Sequence, residues 1–371
     1  MRKTLIILTP GFPENEADTT WLPDRQIFVR VLRDTYPELN IVVLSFQYPY
    51  QSREYWWNGI RVIALGGKGK RGLLRRLLWF KAWHKLKQLH KEYEVVGLLS
   101  FWLDECAFVA HQFAQKHRLK SYAWLLGQDA RPGNRYVSRV VTDGSNLIAL
   151  SDSVVAEFRK NYGVSPQHLV PCGVDPAMFA LQPISRDIDI LGAGSLIPLK
   201  QYHLLIEVVR LLKKDFPAIK VVICGKGPEL QQLEERVSRY NLAANIEFKG
   251  EVPHPQVLAL MQRSKVFLHP SSYEGFGNVL LEALYAGAYL VSFLRPMNEP
   301  FDRHYVVADV QEMAQTTAQI LADKNRDHWP VLVYTVTQMA QGIMKIFDLP
   351  LTVMPQFDES AVQLPRTISA R

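Results

Sequence analysis

Short apolar runs of three to six residues alternate with longer amphipathic stretches along most of the chain. The runs suit buried strands, and the stretches between them have the length and periodicity of helices. Strands are predicted at Thr4–Leu8, Asn40–Ser45, Arg61–Ala64, Val95–Ser100, Ser121–Leu125, Leu147–Ala149, His168–Val170, Asp189–Ala193, Lys220–Cys224, Ile246–Lys249, Val266–His269 and Ala288–Ser292. Helices are predicted at Pro23–Asp34, Leu103–His117, Asp152–Tyr162, Tyr202–Asp215, Glu229–Tyr240, Pro255–Arg263, Val279–Gly287, Val307–Ala322 and Val331–Phe347.

This alternation predicts parallel sheets with helices on both faces. Because the pattern runs twice, we predict an α/β fold of two Rossmann-like domains that face a central cleft. The turn-rich segment from Pro171 to Pro183 is the natural connection between them. The predicted parts are a first domain (1–172), a second domain (173–330), a last helix that packs back near the first domain (331–347) and a flexible tail (348–371).

The composition of the 371 residues fits a globular protein, with 48% hydrophobic and 21% charged residues. It excludes disordered and collagen-like chains. The three cysteines lack metal-ligand spacing, which favours a reducing compartment. The apolar run after Met1 is too short for a signal peptide, and glycines interrupt the nearly uncharged stretch at 275–294. We therefore expect a soluble, cytoplasmic protein.

The net charge of +7 is unevenly spread, since residues 68–91 hold nine Lys or Arg and no Asp or Glu. Leucines recur there at helical spacing beside Trp79 and Trp83, which predicts a basic helix. Such a helix fits a solvated surface that packs on a sheet, and it equally fits contact with an anionic membrane, here the inner face of the plasma membrane. No recognition motif accompanies the charge, so we expect no nucleic-acid partner.

A loop around Glu274 carries the densest candidate chemistry. It follows a predicted strand, and Gly275 and Gly277 would let its backbone approach a ligand closely. Asn278 is a natural N-cap, so we expect the N–H groups behind it to favour anionic oxygens. Glu282 stands on an apolar helix, where a carboxylate needs strong hydrogen bonds, from ribose hydroxyls or from neighbouring backbone groups.

Two more glycine loops follow predicted strands in the second half of the chain. The first leads through Gly194 to Lys200, which can neutralise a diphosphate or remain a solvated lysine. The second repeats the strand–glycine–helix arrangement and could line the same pocket. The residues of these loops assigned to the pocket are Gly194, Ser195, Lys200, Gly225 and Lys226.

No metal or cofactor motif is convincing. Asp187 and Asp189 form a D-x-D pattern, but they open a strand, so we expect no metal site there. Ile197 stands where a dinucleotide fingerprint needs its last glycine, which disfavours a nicotinamide-dependent oxidoreductase. No Walker A sequence occurs, and we expect no cofactor.

Taken in order, the motifs resemble the family 4, GT-B-type retaining glycosyltransferases of glycosyl transferases group 1. Glu274 and Glu282 match the E-x7-E motif of that family. Four further segments resemble motifs of that family. Gly173-Val174-Asp175 resembles N-G-V-D, and Gly194-Ser195-Leu196 with Lys200 resembles G-R-L…K. Gly225-Lys226-Gly227-Pro228 resembles G-x-G-P, and Gly127-Gln128-Asp129 resembles H-G-x-D.

The resemblance implies a metal-independent, hexosyltransferase-like enzyme that moves a sugar from a nucleotide-sugar donor to a lipid-linked or polysaccharide acceptor, as in lipopolysaccharide synthesis. Lys200, Glu274 and Asp129 would be catalytic, with Lys200 against the leaving diphosphate and Glu274 near the transferred sugar. Glu282 would bind the ribose. The implied donor-binding residues are Gly11, Gly194, Ser195, Lys200, Gly225, Lys226, Glu251, Glu274, Gly275, Phe276, Gly277, Asn278, Val279 and Glu282.

Three positions depart from the family pattern. Ser195 replaces the usual Arg, Leu126 replaces the His before G-x-D, and Gly11 alone stands for paired glycines. These departures keep a second interpretation open, in which the chain is a catalytically silent, nucleotide-sugar-binding scaffold subunit of a glycan assembly complex.

Overall fold

The computed structural model describes residues 1–19, 21–69, 71–180 and 184–349. They form two sheets, each covered by helices. Lys70 of the basic segment, Pro183 of the linker and positions 350–371 of the predicted tail lie outside the described residues.

The first half of the chain forms an eight-stranded sheet. Its strands are β1 (Lys3–Gly11), β2 (Asn40–Tyr48), β3 (Arg53–Trp57), β4 (Ile60–Ala64), β5 (Glu94–Phe101), β6 (Ser121–Trp124), β7 (Leu147–Ala149) and β8 (His168–Leu169), and its helices are α1 (Pro23–Thr35), α2 (Leu73–Glu92), α3 (Glu105–His117), α4 (Val137–Val140) and α5 (Asp152–Tyr162). The strand order is β3-β4-β2-β1-β5-β6-β7-β8, and neighbours run parallel except β3 and β4. Four consecutive residues of β1, Leu5–Leu8, are fully buried, because helices cover both faces of the sheet.

The second half forms a six-stranded parallel sheet with the order β11-β10-β9-β12-β13-β14. Its strands are β9 (Ile188–Ala193), β10 (Val221–Cys224), β11 (Ile246–Gly250), β12 (Ser264–His269), β13 (Tyr289–Ser292) and β14 (His304–Val306). Its helices are α6 (Tyr202–Leu212), α7 (Leu230–Arg239), α8 (His254–Gln262), α9 (Asn278–Tyr285) and α10 (Val310–Ala322).

The chain crosses between the two halves twice, and the crossings hydrogen-bond to each other. The N–H of Val174 donates to the carbonyl of Tyr334, and the N–H of Val336 donates to the carbonyl of Val174, both at 2.9 Å. Helix α11 (Val336–Ile346) begins immediately after the second crossing, with a capping box between Thr335 and Gln338. It packs against α1, so the last helix returns to the first half of the molecule.

The strands β3 and β14 lie outside those predicted from the sequence. Both are edge strands, and β3 begins with exposed Arg53 and Glu54 ahead of three aromatic residues. Charged side chains on an edge strand resist pairing with other chains, and they also interrupt the apolar pattern from which strands are predicted.

The basic helix α2 packs on the first sheet through Leu78, Ala82 and Leu86, which are buried. Trp79 and Trp83 also turn inward, where they contact Phe108 and Phe113 with ring centroids 5.0 and 5.1 Å apart. The exposed apolar residues are others, all in the first two turns of the helix: Leu73, Leu74, Leu77 and Phe80. Within the described part of the chain, no helix combines the length and apolarity needed to cross a membrane.

Candidate functional site

The loops at the carboxyl ends of the two parallel sheets meet across a cleft. Tyr273, after β12, donates its hydroxyl to the carbonyl of Gly127, after β6, at 2.7 Å. Gly127 and Gly275 touch through their backbones, since a Cβ added to either would lie 2.8 Å from the other. The expected close approach at Gly275 is therefore made to the facing half of the protein. Ser151 strengthens the contact by donating to the carbonyl of Gly275.

Lys200 and Glu274 lie together in this cleft. Their ion pair joins the short helical turn after β9 to the loop after β12, and both side chains are largely buried. His269, the last residue of β12, places its Nε2 2.8 Å from the same carboxylate oxygen of Glu274. The structure thus brings two residues predicted to be catalytic into contact and adds a histidine.

The ionisation of Glu274 follows from these neighbours. Burial alone would raise the pKa of this carboxyl, but His269 and Lys200 outweigh that cost and hold the pKa at about 2. Burial lowers the pKa of His269. The pair is therefore a neutral imidazole whose Nε2–H donates a hydrogen bond to the Glu274 carboxylate, with Lys200 supplying the positive charge.

Glu282 is held by a second hydrogen-bonded group. His254 Nε2 lies 2.9 Å from Glu282 Oε1, and Asn278 Nδ2 donates to that oxygen at 3.0 Å. Burial alone would lower the pKa of His254, but the hydrogen bond to Glu282 and its charge raise it. Among the described residues nothing donates to Glu282 Oε2, so that oxygen is left for a ligand.

One prediction about this helix is wrong. The N-cap of α9 is Gly277, at φ 80°, and Asn278 is the first helical residue, whose side chain turns forward to Glu282. Only glycine takes that left-handed conformation without strain. The ring of Phe276, which directly precedes this cap, is buried beside Phe301 and Tyr334, so the donor contact predicted for Phe276 could be made only by its backbone.

The start of α9 still offers hydrogen-bond donors. The N–H groups of Asn278 and Val279 have no acceptor within the helix, because the first turn of any α-helix leaves its donors free. They belong to the same helix as Glu282, one turn away from it. An anionic oxygen placed there would meet N–H groups and the positive end of the helix dipole.

The glycine loops after β9 and β10 are packed against each other. Gly194 donates to the carbonyl of Cys224 at 3.0 Å, and the carbonyl of Gly194 blocks any side chain at Gly225. Ser195 is exposed beside them. Lys226 and Glu251 form an exposed ion pair at the outer end of the loops. The glycines thus bring two loops together, which places Lys200 and Lys226 on one edge of the sheet.

A cavity of about 800 Å³ occupies the first half of the cleft. Gly11 and Asp129 line it, and the indole of Trp21 covers Gly11, so that a Cβ there would lie 2.6 Å from the ring. Asp129 is buried and accepts the N–H of Leu126 at 2.9 Å. Burial raises its pKa to about 6, although the backbone N–H groups of Leu126 and Leu103 favour the charged form.

His254 and His269 are the site residues that the sequence analysis missed. His269 ends a predicted strand, and the carboxyl end of a parallel strand is where site residues gather, so a signal was available. His254 has no comparable signal, because its contact with Glu282 joins helices α8 and α9.

The D-x-D carboxylates are engaged in ion pairs, Asp187 with Arg263 and Asp189 with Lys265. No cluster of three or more His, Cys, Asp or Glu side chains within the described ranges is placed to hold a metal ion.

Comparisons with known proteins agree with this arrangement. Residues 175–329 match the family model for glycosyl transferases group 1. The chain is 40% identical over 93 residues to the gpi3 subunit of phosphatidylinositol N-acetylglucosaminyltransferase from Schizosaccharomyces pombe, covering 25% of this chain and 20% of that protein. Over 164 residues it is 33% identical to the Arabidopsis thaliana protein that bears the same enzyme name, covering 43% of this chain and 37% of that protein. The match therefore spans about a fifth to two fifths of these relatives.

The fold has counterparts among solved structures. The Anabaena protein HepE, solved in complex with UDP and glucose, superposes with a TM-score of 0.64 at 16% identity, covering 94% of this chain and 98% of that one. Two facing parallel-sheet domains are the GT-B arrangement of its glycosyltransferase neighbours. The second half of the chain therefore matches glycosyl transferases group 1, and the chain as a whole has a GT-B fold.

Proposed function

We propose that this protein is a retaining glycosyltransferase that moves a sugar from a nucleotide-sugar donor to a lipid-linked or polysaccharide acceptor in cell-surface glycan synthesis. The observation that carries the proposal is the pair of carboxylates in the cleft: Glu274 held by Lys200 and His269, and Glu282 with one oxygen held and one free.

Each group has a task in this reaction. Breaking the bond between the anomeric carbon and the donor diphosphate leaves negative charge on the diphosphate, which Lys200 and the first N–H groups of α9 stabilise. These groups take the part that a metal ion plays in other sugar transferases. The acceptor hydroxyl forms the new bond on the face that the diphosphate leaves, and its proton passes to the departing diphosphate oxygen.

The relatives support the class of reaction. The fission yeast and Arabidopsis proteins are subunits of an N-acetylglucosaminyltransferase that is named for a phosphatidylinositol acceptor. The Anabaena structure contains UDP and glucose, the two parts of a nucleotide sugar. A lipid-linked acceptor would also give a use to the exposed apolar turn of α2, where Leu73 is 72% exposed among Arg71, Arg75 and Arg76.

This turn is our candidate membrane contact. Apolar side chains between arginines favour the surface of an anionic bilayer. We expect Leu77→Ser/Phe80→Ser to lose sedimentation with phosphatidylcholine vesicles that contain phosphatidylglycerol, whereas wild type sediments with them. Equal sedimentation of variant and wild type would refute the contact without touching the catalytic proposal.

A ligand screen tests the function. Ligands that bind only the folded state raise its apparent stability, so thermal unfolding reports binding. We expect stabilisation by one class of nucleotide sugar, with UDP-, GDP- and ADP-sugars as the candidates, and none by NAD or NADP. Stabilisation by a nicotinamide nucleotide alone would overturn the proposal.

The departures at Ser195 and Leu126 favour a second candidate, a silent binding subunit. Ser195 is exposed next to the Lys200 turn, so no second cation stands there. Slow release of free sugar from the stabilising donor identifies an active enzyme. Binding of the donor with neither hydrolysis nor transfer would favour the scaffold.

A further inference from the structure

Three arginines surround one group of aromatic side chains, and this group reaches the first-half cavity at Tyr136. Arg75 lies over the ring of Trp79 at 5.6 Å, and Arg139 lies over Phe108 at 5.9 Å. Arg135 lies over Tyr136 at 5.1 Å, and it lines the cavity itself. The aromatic rings contact each other, which fixes the three guanidinium groups around a single patch.

A fourth cation extends the patch toward the loop after β12. Arg131 lines the same cavity and lies over the ring of Tyr273 at 5.5 Å. Tyr273 directly precedes Glu274. These four residues (Arg75, Arg131, Arg135 and Arg139) form what we call the arginine group, and they run from α2 to the centre of the cleft.

None of the four has a carboxylate partner in the described part of the chain. Glu105, the acidic side chain beside Trp79 and Tyr136, is already taken: Gln47 donates to one of its oxygens and the indole of Trp79 to the other at 2.6 Å. Asp104 accepts the N–H of Cys106 at 2.7 Å, and burial raises its pKa well above the usual range. The four guanidinium groups are therefore not ion-paired, and Asp129 is the carboxyl group that shares the cavity with Arg131 and Arg135.

Unpaired, stacked arginines are suited to one class of ligand. A guanidinium binds phosphate oxygens through two parallel N–H groups, and stacking on an aromatic ring holds its plane in place for them. A neutral sugar needs no such charge. Arg131 and Arg135 both line the cavity, and an anion bound between them would relieve their mutual repulsion.

We propose that the arginine group binds the phosphate of a phosphorylated acceptor, with the accepting sugar or alcohol in the cavity beside Asp129. This inference rests on the proposed glycosyl transfer and names the class of its acceptor. The phosphate belongs either to a lipid-linked acceptor or to a soluble sugar phosphate, and both would use the same arginines.

The test separates acceptor binding from donor binding. UDP is first titrated into the protein by calorimetry, and this step reports on the proposed function alone. Geranyl diphosphate and glucose 1-phosphate are then titrated into protein saturated with UDP, so that the donor diphosphate site is filled. If UDP does not bind, the two probes are titrated into free protein, and the comparison of variants below still decides the inference.

The variant is Arg135→Gln/Arg139→Gln, and its matched control is Lys87→Gln/Arg118→Gln, two exposed cations far from the cavity. We expect at least one probe to bind wild type and the control alike, and the variant about tenfold more weakly, as for the loss of one or two charge-assisted hydrogen bonds. Binding of only geranyl diphosphate identifies a lipid-linked acceptor, and binding of only glucose 1-phosphate a soluble one. Binding of neither probe, or equal binding by the variant, overturns the inference. Arg131→Gln, which lies outside the aromatic patch, repeats the test if the double variant does not fold.

Discussion

The two halves of the cleft use charge in opposite ways. In the second half every acidic site residue is held by a partner, with Glu274 bound to Lys200 and His269, and Glu282 to His254 and Asn278. In the first half the arginine group has no carboxylate partner among the described residues, and Asp129 is hydrogen-bonded only to backbone groups.

The difference teaches what each half is ready to bind. Groups that are already paired and largely buried keep their positions when a ligand arrives, which is the preorganisation that a recurring nucleotide and a charged leaving group require. The arginine group has no carboxylate partner among the described residues, so a negatively charged ligand can pair with it. Under the proposed function, the second half is the donor half, fixed by its own contacts, and the first half is the acceptor half, completed by its substrate.

Removing Lys200 breaks the donor half most severely. We expect Lys200→Gln to lower turnover of the stabilising donor by about 10²–10³-fold, because a preorganised charge against the leaving diphosphate is lost. The rate of donor hydrolysis or transfer measures this. The matched control is Lys214→Gln, an exposed lysine of the same domain. If Lys200→Gln kept the turnover of wild type, Lys200 would have no role in the reaction.

The ionisation of Asp129 makes the free energy of unfolding depend on pH. Its pKa is raised to about 6 in the folded state from 3.8. The folded protein therefore holds this proton more tightly than the unfolded chain, so the free energy of unfolding falls as pH rises from about 4 to about 6, by on the order of 2–3 kcal/mol. Asp129→Asn lacks this group and should lack this loss.

The measurement is urea unfolding of both proteins at about pH 4 and about pH 7. Wild type should lose stability relative to Asp129→Asn between the two. A constant difference between them would mean that Asp129 ionises as freely in the folded state as in the unfolded one.

His254 sharpens the description of the donor half with a smaller effect. Without it, Glu282 loses one of its two donors, so His254→Gln should raise KM for the donor about tenfold and leave kcat nearly unchanged. His84→Gln, at an exposed histidine of α2, is the control. An equal fall of kcat in His254→Gln would assign the histidine to the chemical step.

The same histidine has a signed effect on stability. Its pKa is raised in the folded state, so the pair with Glu282 contributes fully below the unfolded pKa and is lost as pH rises through the folded pKa. Wild type should therefore lose stability relative to His254→Gln as pH rises above the ordinary pKa of histidine, 6.5. The opposite trend would contradict a charged pair.

The fold and the motif-bearing residues could be predicted from the sequence, because both depend on patterns within short stretches of consecutive residues. Strand β7 and helix α5 have the predicted bounds, and Glu274 and Lys200 meet as two residues of one site should. The cap of α9 was wrong because Asn278 and Gly277 both suit a helix start, and only the backbone conformation decides between them.

What the sequence could not show is contact between distant segments. His254 reaches Glu282 across two helices, and Phe276 turns into the core although it stands inside a motif. The arginine group joins residues of α2, α4 and the loop after β6, and only the structure shows that it lacks acidic partners within the described ranges. The number and order of charges along a chain do not show which charged side chains form ion pairs in the folded protein.

The central claim is that Glu282 offers its free oxygen to the ribose of a nucleoside diphosphate. Calorimetry with UDP and 2′,3′-dideoxy-UDP, on wild type and Glu282→Ala, tests it as a double-mutant cycle. Wild type should bind UDP about tenfold more tightly than the dideoxy analogue, and Glu282→Ala should bind the two equally. If Glu282→Ala weakens both ligands to the same extent, the carboxylate does not contact the ribose, and the account of the donor half is wrong.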